Sequence, residues 1–306
     1  MPSAASPRPR TSSLPAFLFV SLRPEQWTKN LLVFAGLLFG GRLLDPEAIA
    51  LSCATFAIFC ALSGAVYLFN DVADREADKQ HPLKRLRPIA AGYVSVPAAL
   101  ITAGFLGVGA IQAALLINGP LGLASGAYLT LLLMYSAGLK NIVIIDVLTI
   151  AAGFVLRAVA GALAVAVPIS QWLLVCTTLL ALFLALAKRR HELTLLGEGA
   201  IGHRPILQEY SPYLLDQMVA VVTASTLIAY SVYATSADTA ARLGTTRLGL
   251  TIPFVLYGIF RYLYLVHQKR GGGSPAAMLL TDRPLLACVA LWAVSVALIL
   301  YSPLGR

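Results

Sequence analysis

Apolar residues run along this chain in long unbroken blocks, without the stripes of an amphipathic helix. Nine blocks read as helices able to cross a bilayer, at about 28–44, 48–70, 96–118, 120–138, 142–163, 170–187, 216–235, 248–267 and 284–302, since roughly 17 or more apolar residues in a row span the hydrocarbon layer. A water-soluble helical protein would show apolar faces repeating every three to four residues instead. Three joints are short: "NGP" at Asn118–Pro120, "AGLKN" around Lys140 and "AVPIS" around Pro168. No connection exceeds about thirty residues, which leaves no room for a second soluble domain. The expected fold class is all-α, a polytopic membrane protein built as a nine-transmembrane-helix bundle. Residues 18–306 form its single intramembrane domain, and residues 1–17, rich in Ser, Pro and Arg, are expected to be a disordered cytoplasmic tail. A signal peptide is not expected, because the first apolar run is long and no A-x-A site follows it.

Composition agrees with the pattern, at 58% hydrophobic and 12% charged residues with a mean hydropathy of +0.78. Orientation follows from the basic residues. Of the 23 Lys and Arg, with the N-terminus placed inside, four fall on the far side (Arg42, Arg242, Arg247 and Arg306), two fall within helices (Arg157 and Arg261), and the remaining 17 are cytoplasmic. A multi-pass protein of the plasma membrane is therefore expected, with its N-terminus and its charged loops in the cytoplasm. The net charge of +9 is accounted for by this topology and by anionic lipid, so membrane lipid is an expected partner and nucleic acid is not. The four cysteines, Cys53, Cys60, Cys176 and Cys288, are scattered in apolar runs and read as small packing residues, with no spacing for a disulfide frame or a zinc site.

The candidate chemistry lies in "YLFNDVADREADKQHPLKRLRPIAAG", Tyr67–Gly92, where Asp71, Asp74, Glu76 and Asp78 are followed by Lys79, Lys84, Arg85 and Arg87. If the second helix continues past the membrane edge, Asn70, Asp74 and Asp78 fall at i, i+4 and i+8 on one face, with Asp71 flanking and Tyr67 one turn below. Pro82 and Pro88 would end it. Stacked carboxylates destabilise a helix unless something offsets them. A Mg²⁺ ion does so, commonly taking one or two carboxylates plus phosphate oxygens of a substrate, while Lys84, Arg85 and Arg87 suit phosphate oxygens left uncovered. A solvated loop whose acids and bases pair with each other is the competing reading, disfavoured by the periodic spacing.

These residues carry a resemblance. Asn70–Asp78 spells N-D-x-x-D-x-x-x-D, and with "RPEQWTKN" at Arg23–Asn30 and nine helices in about 300 residues it resembles the UbiA superfamily of intramembrane prenyltransferases over nearly the whole chain. That family implies a second Asp-rich motif after the sixth helix, the two motifs holding metal ions around a prenyl diphosphate. Here the place reads "LALAKRRHELTLLGEG", Leu184–Gly199, with Lys188, Arg189 and Arg190 where carboxylates are expected. Within the superfamily the chain is similar to the decaprenyl-phosphate phosphoribosyltransferase branch, on "SLRPEQWTKNLLVFAG", "YSAGLKNIVIIDVLTIAAGFVLRAVAGALA" and "LALAKRRHEL". The resemblance implies transfer of 5-phosphoribosyl from phosphoribosyl diphosphate to a polyprenyl phosphate, with Mg²⁺ as cofactor, for cell-wall arabinan.

Under that reading Asp74, Asn70, Asp71 and Asp78 are the catalytic set, with the metal on Asn70 and Asp74. Lys29, Tyr67, Lys84, Arg85 and Arg157 are assigned to phosphoribosyl diphosphate, and Lys140, Lys188 and Arg189 to the lipid phosphate. Arg87 and Arg190 read as topogenic charges. Asp146 and Arg157 share a face about 16 Å apart, and an Arg inside an apolar helix is a functional candidate by default; snorkelling or a structural pair with Asp146 is the alternative. A homo-oligomer is compatible with the sequence. The rival readings are a conventional prenyltransferase acting on an aromatic or haem-like acceptor, which needs the second acidic motif, and a transporter, which needs charges deep in several helices.

Overall fold

The computed structural model describes residues 13–82, 84–196, 205–269 and 275–301. In chain order its helices are α1 (Leu14–Ser21), α2 (Ala35–Phe39), α3 (Pro46–Ala73), α4 (Arg75–Gln80), α5 (Val96–Ile117), α6 (Gly119–Ala137), α7 (Ile145–Ala164), α8 (Gln171–Leu196), α9 (Pro212–Thr235), α10 (Ala237–Leu243), α11 (Ile252–His267), α12 (Pro275–Thr281) and α13 (Arg283–Tyr301). Proline and small polar caps set many of the starts. Asp45 accepts from the N–H groups of Glu47 and Ala48 with Pro46 behind it, Ser95 caps α5, Asn118 caps α6 and Ser211 caps α9. Each such cap contributes about 1 kcal/mol by satisfying donors the helix leaves open.

Among the described residues eight helices, not nine, are long and apolar enough to cross a membrane. The protein is an integral membrane protein on that count. The exception is the first expected block, at about 28–44. There the chain turns at Arg23 in the left-handed region (φ 54°), runs as 3₁₀ turns over Pro24–Phe34, and is α-helical only at α2. Tertiary contact explains the departure. A Cβ on Gly36 would lie 2.7 Å from the Ala162 backbone nitrogen, and one on Gly161 would lie 1.8 Å from the Val33 carbonyl oxygen. The backbones of this segment and α7 touch, and the segment takes whatever local winding that contact demands. It runs from Arg23, beside Asp71 near the end of α3, to Leu43, whose N–H donates to the Tyr301 hydroxyl at the end of α13.

α1 begins at Leu14, so residues 14–17, expected as part of a disordered tail, are helical; Phe17 stacks on Tyr93 at 4.6 Å and gives that turn a packing partner. Residues 1–12 of the expected tail lie outside the described residues. α3 stops at Ala73 and α4 resumes at Arg75, with Asp74 at φ −91°, ψ 6° between them. The step is small, because Asp74 N–H still donates to the Asn70 carbonyl at 2.9 Å and Asp78 N–H to the Asp74 carbonyl at 2.8 Å. α8 outruns its expected end at about 187, running through Lys188–Glu192 to Leu196.

The long helices fall into two halves, each with its own apolar core. One, around Phe59, Leu62, Leu121 and Tyr128, joins α3, α5, α6 and α7; the other, around Phe183, Leu186, Leu215 and Tyr262, joins α8, α9 and α11. Gly161→Ala is expected to cost at least about 1–3 kcal/mol, the range for overpacking. Gly109→Ala, whose Cβ meets nothing within 4 Å, should be neutral. Thermal unfolding of both variants in detergent checks the contrast.

Candidate active site

The halves enclose a cavity of about 2030 Å³. It is charged at the end where α3 stops and apolar through the rest, past Phe39, Leu173, Phe254 and Trp292. The expected stripe forms its rim. Asn70 Nδ2 donates to Asp74 Oδ2 at 3.0 Å, and Lys140 Nζ, from the α6–α7 joint, reaches Asp74 Oδ1 at 2.6 Å. Asp71 and Asp78 are each 2% exposed. Arg87 bridges them, donating to Asp71 at 3.1 Å and Asp78 at 2.6 Å, and Arg23 also pairs with Asp71. Three carboxylates therefore meet three cations, each cation from a different segment.

A second group sits deeper. The Arg23 guanidinium lies 4.7 Å over the Tyr67 ring. Arg157, 5% exposed, donates from Nε to Asn30 Oδ1 at 2.7 Å, from one terminal nitrogen to the Gly153 carbonyl at 3.0 Å, and from the other to the Tyr128 hydroxyl at 2.6 Å. The Tyr128 and Phe154 rings flank it at 4.8 and 5.1 Å. Among the described residues its partners are all neutral, so its charge reaches the cavity uncompensated. Five donors on a guanidinium leave two beyond these three bonds. Lys29 and Tyr67 line the same stretch of wall.

Of the assigned residues, Lys29, Tyr67, Asn70, Asp71, Asp74, Asp78, Lys84, Lys140, Arg157 and Lys188 all line this one cavity. Lys84 is partly withdrawn from water, and that burial, with Arg87 beside it, holds its ammonium below the usual lysine pKa. Two assigned residues do not line it. Arg85 is exposed: in the 3₁₀ turn Lys84–Leu86 successive side chains splay about 120° apart, and Lys84 and Leu86 line the cavity while Arg85 does not. Arg189 is 1% exposed and paired with Asp146 at 2.8 Å and Glu192 at 2.9 Å. It follows Lys188 by about 100° around α8, which turns it from the cavity into the α7 contact. The suggested Asp146–Arg157 pair is likewise absent among the described ion pairs, Asp146 being taken by Arg189. Lys140, assigned to the lipid phosphate, stands at the acidic motif. Arg87, read as topogenic, is the bridge between two buried carboxylates, whereas Arg190 pairs with Asp216 away from the cavity. Arg23 and Asn30 were not singled out. Both sit in "RPEQWTKN", and only the fold brings them to Asp71 and Arg157.

The chain belongs to the UbiA prenyltransferase family, whose model matches residues 30–282. Its fold is that of a UbiA homologue from Archaeoglobus fulgidus solved with GPP and Mg²⁺, with a TM-score of 0.70 at 18% identity over 92% of this chain and 99% of that one. Within the family it is similar to curated proteins named decaprenyl-phosphate phosphoribosyltransferase. The Mycolicibacterium smegmatis relative is 33% identical over 98% of this chain and 96% of its own length. The Mycobacterium tuberculosis relative is 33% identical over 93% and 94%, and that of Corynebacterium glutamicum 32% over 92% and 86%.

Removing Arg87 leaves Asp78 buried without its partner. Arg87→Ala should cost about 3 kcal/mol, the low end for breaking a buried pair because Arg87 itself is partly in solvent. Adding Asp78→Asn should recover at least half of the loss, measured by thermal unfolding across the cycle.

Proposed function

We propose that this chain transfers the 5-phosphoribosyl group of phosphoribosyl diphosphate to decaprenyl phosphate, releasing diphosphate, at the cytoplasmic face of the plasma membrane, and so supplies a precursor of cell-wall arabinan. The observation that carries the reading is the charge layout of the cavity. One acidic motif with its own cations stands at the rim, and a buried cation without a carboxylate partner, Arg157, stands deeper. Tyr67, close to that deeper group, lies seven residues before Asp74, about 10 Å further into the membrane. The two groups thus suit a donor with a diphosphate at one end of its ribose and a phosphate at the other. The lipid phosphate would enter between Lys140 and Lys188, its tail along the apolar wall. A conventional prenyltransferase would need a second acidic motif near the end of α8. There the described wall presents Lys188 and Glu192, 3.7 Å apart.

Asn70 and Asp74 meet through the Asn70 amide nitrogen, and turning that amide over would set its oxygen beside the Asp74 carboxylate, whose side chain is 33% exposed. Two hard oxygens suit Mg²⁺, which keeps water and substrate phosphate oxygens for its remaining positions, and the ion is present in the Archaeoglobus fulgidus homologue. Bound there, it would neutralise the diphosphate and stabilise it as a leaving group. Asp71 and Asp78, held by Arg87 and Arg23, line the cavity from almost wholly buried positions and keep the end of α3 in shape beside Asp74. Lys84 takes diphosphate oxygens, and Lys140 exchanges its Asp74 contact for the lipid phosphate. An oxygen of the lipid phosphate attacks the anomeric carbon, the bond to diphosphate breaks with its electron pair leaving on diphosphate, and a phosphodiester results. The nucleophile is already anionic near neutral pH, so positioning and charge stabilisation carry the rate.

Purified protein given ribose-labelled phosphoribosyl diphosphate, decaprenyl phosphate and Mg²⁺ should move label into the organic phase, and Asp74→Ala or chelation of the metal should abolish it. Turnover of a prenyl diphosphate with an aromatic acceptor, and no organic-phase label, would reject the reading. The pH dependence follows from Lys84. An amine binds the donor's phosphates only while protonated, so kcat/KM for the donor should fall on the alkaline side, as pH rises through a pKa below the usual lysine value near 10.4. Lys84→Arg should flatten that limb.

A further inference from the structure

Between Lys140 and the start of α7 the backbone takes a costly form. Ile144 sits at φ 68°, ψ −42°, and Ile145 N–H donates to the Val143 carbonyl at 2.8 Å, which closes a γ-turn of the positive-φ type around a β-branched residue. Such a turn is rare and strained, and it persists only where its surroundings over-determine it. Here they do. The Ile144 N–H donates to the Tyr210 hydroxyl at 2.7 Å, and that hydroxyl donates to Asp146 Oδ1 at 2.9 Å. Asp146 Oδ2 accepts from Arg189 Nε at 2.8 Å. Asp146, Arg189 and Tyr210 are 0, 1 and 2% exposed. Burial and the neighbouring Asp146 push the Tyr210 hydroxyl up to about 12, so it keeps the proton that Asp146 needs.

We propose that Tyr210, Asp146 and Arg189 form a positioning clamp that fixes the strained turn at Ile144 and thereby aims Lys140 at Asp74. Only six residues, Gly138–Val143, separate the end of α6 from the strain, and three of them form the 3₁₀ turn Leu139–Asn141. The far end of this joint must be held if the Lys140 ammonium is to meet one carboxylate at 2.6 Å. None of the three clamp residues lines the cavity, so none touches substrate; Arg189 also donates to Glu192 and Tyr135, which do line it, and Tyr210, bonded to the turn itself, is the member that acts through Lys140. The buried ion pair has a geometric task here: it supplies a rigid anchor in α7 and α8 against which the Tyr210 hydroxyl can hold one backbone amide. The phosphate-binding role given to Arg189 from sequence is replaced by this one.

Tyr210→Phe removes the hydroxyl and keeps the ring, so it is the variant of choice; Asp146→Asn, which retains an acceptor for Tyr210, is the second. Two readouts decide. In full-length protein in detergent, hydrogen exchange of the amides in 139–146 should quicken about tenfold or more in Tyr210→Phe, with α3 and α11 unchanged. In the transfer assay, which rests on the function proposed above, Tyr210→Phe should lower kcat/KM about tenfold in the native background and less than twofold when Lys140→Gln is already present, since effects passing through one residue do not add. Unchanged exchange across 139–146 overturns the clamp whatever the activity shows. An equal loss of kcat/KM in both backgrounds overturns its action through Lys140. Should Lys140→Gln alone leave transfer intact, the site reading of Lys140 fails, and the exchange measurement still decides whether the clamp holds the turn.

Discussion

Carboxylates at the end of an apolar helix must be neutralised where they stand, and much of this molecule is arranged by that requirement. Asp71 and Asp78 are almost wholly out of water, where an unpaired charge costs several kcal/mol. Their cations come from far along the chain, Arg23 from ahead of the first crossing and Arg87 from beyond α4, while Asp74 draws Lys140 from the joint of α6 and α7. Each ion pair ties a separate segment to the end of α3. The rim of the cavity is thus assembled by charge, each pair closing one stretch of it.

The apolar wall obeys a different rule. Helices packed through Phe59, Tyr128, Phe183 and Tyr262 leave a cavity whose polar mouth and greasy depth match an amphiphile with a phosphate head. Arg157 interrupts that wall at depth, and its setting among Asn30, Tyr128 and two aromatic faces explains how a guanidinium survives there: every described contact is a neutral acceptor or a ring. A carboxylate partner would have cancelled the charge; these neutral ones leave it in place.

Local periodicity carries to this structure well, and distant pairing does not. Asn70 and Asp74 meet because i and i+4 are neighbours on any helix, and the later apolar blocks are helices for the same one-dimensional reason. The block at 28–44 misleads because its winding answers to Gly161, more than a hundred positions away. Lys188 and Arg189 were assigned alike because the sequence does not say which face of α8 looks at α7; the fold sets Lys188 on the cavity wall and, a third of a turn away, buries Arg189 against Asp146. Arg87 shows the same gap from the other side, since a basic residue near a membrane edge looks topogenic until Asp71 and Asp78 are found beneath it.

The contact of Gly161 with Val33 has a consequence for recognition. Lys29 and Asn30 ride on the segment that Val33 anchors, and Arg157 lies one helical turn before Gly161 on the partner. Their separation is therefore written into two abutting main chains and owes nothing to a hinge or a loop. The deep cations are thus spaced before any anion arrives, and none of that anion's binding energy goes to ordering them.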